Sequence, residues 1–185
     1  MNLELTPAQK RAAEGLLSGI PAAGVLVLRG QAGSGKTAVL EHVHALAGGI
    51  LLGVRQFMRS LAAGPPYAIE EAFLNMLEGA VAQHNLVFVD DLHLVTQIVT
   101  SCDYPRGFLL DAALTAALCD AAAQHKKLVF ALDSAVDLPW PLRRRAYTWE
   151  IGEFAAEDYR TICRGVLGEK VADRLAATVK KCEEI

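Results

Sequence analysis

The chain has 185 residues, with 18 Lys and Arg against 21 Asp and Glu, which is room for one domain of ordinary size with or without a small appendage. Hydrophobic residues make up 52% of it, ample for a core, and a net charge of −3 with no basic block excludes strong non-specific binding to nucleic acid. No apolar run approaches the roughly 18 residues of a membrane span, and the N-terminus lacks a charged-then-apolar leader. Cys102, Cys119, Cys163 and Cys182 lie far apart without a C-x-x-C pair, so neither a zinc site nor a disulfide framework is indicated. Reduced cysteines in a cytoplasmic protein are the expectation.

The first predicted element is a helix opening at "LTPAQKRAAEGLL", where Thr6 caps, Pro7 takes the first helical position and Gln9 completes a capping box. Strands are predicted at 24–29, 49–54, 86–90, 127–132 and 147–151, and helices near 36–47, 67–83 and 107–124. The first four strands are continuous apolar runs, the pattern of strands buried on both faces. Alternation of strand and helix predicts a parallel sheet with helices on both sides. Beyond residue 152 the strands stop. Tyr159, Ile162 and Val166 mark one amphipathic helix and Val171, Leu175, Val179 and Cys182 a second, with Gly165 and Gly168 near the break. The chain therefore divides into an α/β unit at 1–152 and a two-helix segment at 153–185.

"LRGQAGSGKT" joins an apolar strand to a helix, the setting in which a glycine-rich loop cradles phosphates. Glycines at 30, 33 and 35 let backbone N–H groups turn inward, and the following helix aims its positive end at the same anions. The phosphate-binding set is Gly30, Gln31, Ala32, Gly33, Ser34, Gly35, Lys36, Thr37 and Ala38. Lys36 is placed to reach the β- and γ-phosphates of ATP and Thr37 to offer a hydroxyl to Mg²⁺. Downstream, "LVFVDDLHLV" sets Asp90 and Asp91 at the end of an apolar strand, Asp90 as the Mg²⁺ partner and Asp91 as the group that polarises water. His93 is a weaker candidate base, and His42 and His44 diverge on their helix, a poor metal pair.

These motifs, in this order over roughly residues 20 to 182, resemble the AAA family of ATPases within the AAA+ class of P-loop NTPases. "GQAGSGKT" is similar to its Walker A motif and "LVFVDD" to its Walker B. The resemblance implies a three-layer αβα sandwich on a five-stranded parallel sheet of order 5-1-4-3-2. It also implies a pore loop in "FMRSLAAGPPYAIEEAF", with Ser60, Leu61 and Ala62 at its tip. "KLVFALDS" looks like the sensor strand, making Asp133 or Ser134 the sensor. "DLPWPLRRRAYTWEI" resembles the segment from which an arginine reaches a neighbouring subunit's γ-phosphate; Arg144 and Arg145 are the candidates, Arg143 the third. "FAAEDYRTICRGVLG" is similar to the start of the helical lid. Family members work as oligomers, homomeric or heteromeric and often rings such as hexamers, on a protein substrate or adaptor.

The chain departs from the family in four places. Asp91 stands where Glu is usual, and Asp133–Ser134 where Asn is frequent. The pore-loop tip lacks an aromatic, and the lid has two helices. A carboxylate one methylene short sits about 1 Å from its ideal place, a displacement that can cost on the order of 100-fold in rate. The leading expectation is a slow ATPase that remodels a protein partner. The alternative is a nucleotide-dependent binding module with little turnover. A third is a nucleic-acid motor in which Gln9 reads adenine, opposed by the acidic balance and the absence of a basic, aromatic-rich groove.

Overall fold

In the computed structural model, residues 4–65, 68–99 and 107–167 are described. In chain order they form α1 (Pro7–Gly19), β1 (Val25–Gly30), α2 (Lys36–Ala47), β2 (Ile50–Leu52), α3 (Val54–Ala62), α4 (Ile69–Gln83) and β3 (Leu86–Val89). There follow α5 (Leu92–Val99), α6 (Gly107–Ala123), β4 (Lys127–Asp133), α7 (Trp140–Arg145), β5 (Tyr147–Glu150) and α8 (Ala156–Leu167). All strand pairings are parallel. The sheet order is β2-β3-β4-β1-β5, which counted from the β5 edge is 5-1-4-3-2.

Alternation along the strands divides the core in two. Leu26, Leu28, Phe88, Val129 and Ala131 face α1 and α2, packing with Leu16, Val39, Leu40 and Val43. Val27, Val87, Val89, Phe130 and Leu132 face the opposite way, onto Phe73 and Leu77 of α4 and Leu114 and Leu118 of α6. Helices on both faces of a parallel sheet make a three-layer sandwich, and both-sided burial is why these strands carry no polar alternation. At the edge, β5 is exposed at all four residues, and its mixed "YTWE" composition follows from that.

The capping box of α1 forms as expected: the Thr6 side chain accepts from Gln9 N and the Gln9 side chain from Thr6 N. Three helices were not anticipated. The stretch expected to hold a pore loop is helical as α3, and Ser60, Leu61 and Ala62 form its last turn. Ser60 Oγ donates to Ala72 O at 2.8 Å, and Leu61 packs against the core. A tip at these residues is thereby overturned: its hydroxyl and its apolar side chain are both committed inward. A second helix, α5, begins straight after Asp91, and α7 carries the arginine triplet. Gly165 lies inside α8 rather than at a break. Gly168 and the second C-terminal helix expected on Val171, Leu175, Val179 and Cys182 lie outside the described residues, as does Cys102; Cys119 and Cys163 are free thiols. No described helix is long and apolar enough to cross a membrane.

Phe130 is fully buried in the central part of β4. Phe130→Ala should lower the unfolding free energy by about 3–5 kcal/mol, the usual cost of emptying an aromatic core position. Urea denaturation measures it, and a loss under about 1 kcal/mol would show that this face of the sheet is not tightly packed.

Candidate functional site

The carboxyl ends of β1, β3 and β4 lie side by side, the edge where parallel α/β sheets hold ligands. β1 ends at Gly30, and the loop reaches α2 through Gly33 (φ 79°) and Gly35 (φ 83°), left-handed conformations that favour glycine. At Gly35 space is also short, because an added Cβ would lie 2.3 Å from Gln9 Nε2.

Lys36, only 8% exposed, extends back through the loop, its Nζ donating to Gly30 O and Gln31 O at 2.9 Å each. The Lys36 ammonium group is thereby held at the loop's centre by two carbonyl oxygens, at the amino end of α2. Ser34 Oγ is buried with no hydrogen-bond partner. Beside the loop opens a cavity of about 910 Å³, walled by Gln31, Ala32, Gly33 and Ser34 on one side and by Glu150–Phe154, Tyr159 and Ile162 on the other. That volume lies within the range of sites for small organic ligands.

One residue after the lysine, Thr37 Oγ1 donates to Asp90 Oδ2 at 2.6 Å. Asp90 leaves β3 at its carboxyl end, and its other oxygen accepts from Asp91 N at 2.9 Å. Burial pushes the Asp90 carboxyl above the usual aspartate value; the Thr37 hydroxyl opposes that, the Asp91 charge adds to it, and the Asp91 amide and Lys36 oppose it. Thr37 and Asp90 are thus a pair of hard oxygen donors bordering the loop. Asp91 sits at φ 54°, left-handed for a residue with a side chain, and lies 4.0 Å from His93 Nδ1. Such backbone strain concentrates at working sites. Among the described residues no group of three or more His, Cys, Asp and Glu gathers as a metal cluster.

β4 delivers the sensor candidates next to the loop: Asp133 pairs with Gly30, and Ser134 N donates to Gly30 O at 3.1 Å. Asp133 is turned onto its own backbone, Oδ1 accepting from Ala135 N at 2.8 Å. The arginines are not brought to this edge. α7 returns the chain to the start of β5, which opens opposite Leu26, four residues before Gly30 or about 13 Å along the strand. Arg143 Nη2 donates to Leu138 O, Arg144 lies over the Trp140 ring at 4.9 Å, and Arg145 Nη1 donates to Cys119 Sγ at 3.4 Å. Of the triplet, Arg144 is the one stacked on a half-exposed ring rather than hydrogen-bonded to its own fold.

The sequence placed Gln9 in a cap, or against a base. In the structure its Oε1 accepts from Thr6 N and its Nε2 donates to Ser34 O at 2.9 Å, so it braces the glycine loop. Each end of the amide thus holds one backbone partner. Sequence reasoning missed Asp158 altogether. Buried at 1% exposure, its carboxylate accepts from Ala8 N at 2.7 Å and Ala155 N at 2.8 Å, clamping the start of α1 to the start of α8. Its burial, which alone would push the carboxyl up, is outweighed by those amides, the Thr6 hydroxyl and Arg11, and its pKa lies below the ordinary value. "AAED" after a strand exit is a helix-start signal that would have marked it.

No protein-family model matches the chain, and no curated protein does. Among solved structures it is similar to a chain of the Escherichia coli MS115-1 HORMA:CdnC:Trip13 complex, with TM-score 0.64 and 13% identity over 94% of this chain and 73% of that one. At that identity the likeness establishes a shared fold.

The two buried aspartates have opposite pH signatures. Asp158, with its pKa lowered by folding, contributes stability above the unfolded value of about 3.9, lost as pH falls through its folded pKa. Asp158→Asn should therefore cost stability at pH 7, and the gap to the parent should close in acid. Asp90, with its pKa raised, costs stability as pH rises past the unfolded value. Asp90→Asn should match the parent in acid and exceed it near pH 7 without nucleotide, as denaturation at a series of pH values would read.

Proposed function

We propose that this chain is a P-loop nucleoside triphosphatase module of the AAA type. It binds ATP with Mg²⁺, hydrolyses it slowly, and couples the nucleotide state to remodelling of a protein partner within an oligomer. The observation that carries this reading is the Thr37–Asp90 hydrogen bond at 2.6 Å beside a glycine loop with a buried lysine at its centre. A hydroxyl and a carboxylate, both hard donors, fit the sparse protein contribution that Mg²⁺ accepts when phosphates and water supply the rest. The raised pKa of Asp90 fits too, since a nearby cation favours the charged form that burial penalises. When bound, the ion would neutralise charge between the β- and γ-phosphates.

The residues of the chain divide the remaining work. Lys36 and the loop amides hold the phosphates, and the unmatched Ser34 hydroxyl is a further donor for them. Asp91, at the strained exit of β3, orients the attacking water; Asp133 and Ser134 border the γ-phosphate position. The cavity between the loop and 150–154 takes the nucleoside. Arg144, far from its own loop, would act on the site of an adjacent copy, a homo- or hetero-oligomer arranged as a ring being the natural form. That the similar solved chain comes from a complex with partner proteins supports engagement with a protein.

A second reading, a binding module with little turnover, is favoured by one feature. Asp91 is a short carboxylate where reach matters, and the Asp133 carboxylate is engaged by its own turn.

Mg²⁺-ATP turnover measured over a wide protein-concentration series tests both. Specific activity should climb with concentration and fall to background in Lys36→Ala. Arg144→Ala in an assembled sample should lose about 10³-fold or more, the scale of an arginine supplied in trans. Turnover flat at the Lys36→Ala level, with ATP still bound, would establish the second reading instead.

A further inference from the structure

β1 carries one charge in an otherwise apolar strand. Val25, Val27 and Arg29 share a face by alternation, and the two valines pack into the core on the α4 and α6 side. Arg29 continues that face half-buried. Its Nη2 donates to Ser134 O at 2.6 Å and to Val136 O at 3.0 Å, while its Nε is buried with no partner. An aliphatic side chain would fill this place without an unmatched donor, so packing alone does not account for the guanidinium.

What the guanidinium does is tie β1 to the turn that leaves β4. The amides of that turn are already engaged: Ser134 N to Gly30 O at 3.1 Å, Ala135 N to Asp133 Oδ1 at 2.8 Å, Val136 N to Asp133 O at 3.2 Å. Arg29 holds its carbonyls. The turn is therefore gripped on both its donor and acceptor sides by the strand whose next residue opens the phosphate loop. Groups that must respond to a ligand's last phosphate gain from being fixed beforehand, because nothing need be ordered on binding.

We propose that Arg29 is a positioning residue that sets the Asp133–Val136 turn against the phosphate loop so that the site distinguishes a nucleoside triphosphate from a diphosphate. This rests on the nucleotide-binding reading above. Arg29 touches no phosphate itself; it acts through Ser134 and its neighbours.

The test uses the full chain as parent, Arg29→Met and Arg29→Lys. Calorimetry reads affinity for Mg²⁺-ADP and for Mg²⁺-ATPγS, a slowly hydrolysed triphosphate. Amide hydrogen exchange reads residues 134–136, and thermal melting checks the fold. The parent should prefer the triphosphate. Arg29→Met should keep diphosphate affinity within about twofold, lose about tenfold of the triphosphate preference, and exchange the three turn amides about tenfold faster, the scale of one charge-assisted hydrogen bond. Arg29→Lys, which keeps the charge but not the fork, should recover part of both. An unchanged triphosphate preference in Arg29→Met overturns the inference, as does equal loss for both nucleotides with a lower melting temperature, which would make Arg29 a strut of the fold. A parent that binds neither nucleotide removes the nucleotide reading and the inference with it, whereas a parent that binds both and loses them in Lys36→Ala leaves the reading intact whatever Arg29 does.

Discussion

β1 is paired on both edges and buried on both faces, and the rest of the molecule is arranged around that constraint. Leu26, Val27 and Leu28 are wholly inaccessible, with β4 on one side and β5 on the other. A strand held this way cannot slip in register without moving apolar side chains from one core to the other. Its carboxyl end is consequently a fixed point. Gly30 is set opposite Asp133, Lys36 returns to the carbonyls of Gly30 and Gln31, and α2 starts where the loop closes. The loop's backbone and the buried Lys36 side chain are therefore held in one arrangement.

Buried polar contacts spread that fixed point outward. The first turn of α1 touches the loop through Gln9 and Ser34 O, and α8 through Ala8 N and Asp158. Thr6, Gln9 and Asp158 are all buried residues, and the Ala8–Asp158 and Thr6–Gln9 bonds are made away from competing water, so each would be costly to leave unmade. The helix after β5 is thus joined to the glycine loop through Ala8 and Gln9, adjacent residues of α1. Division of the chain at residue 152 marks where strands end, yet the two sides share this network.

Much of this was legible from the residues. Apolar runs of strand length, a glycine loop between strand and helix, and paired aspartates ending a later strand led to an α/β sandwich with the loop and the aspartates at one edge of its sheet, because periodicity and turn chemistry are local. α3, α5 and α7 were missed for equally local reasons. α3 is amphipathic but follows Gly53 without a side-chain cap, α5 begins directly at the strand exit, and α7 is six residues long with proline at its start. The expected loop tip at Ser60–Ala62 failed because its hydroxyl and its leucine found partners on α4 and in the core, which lie outside any sequence window.

By itself the sequence determined the parallel sheet, the glycine loop with Lys36 and Thr37, and Asp90 as the carboxylate that would meet them, since each follows from residue type and spacing. Only the tertiary structure decided that Thr37 and Asp90 come within a hydrogen bond of each other across two strands. It also decided that Gln9 bonds the loop at Ser34 O, that Asp158 clamps two helix starts, and that Arg29 reaches the turn beyond β4. The physical reason is common to all four. A side chain's partner is set by how the sheet aligns strands far apart in sequence, and buried donors and acceptors must find whatever that alignment places beside them.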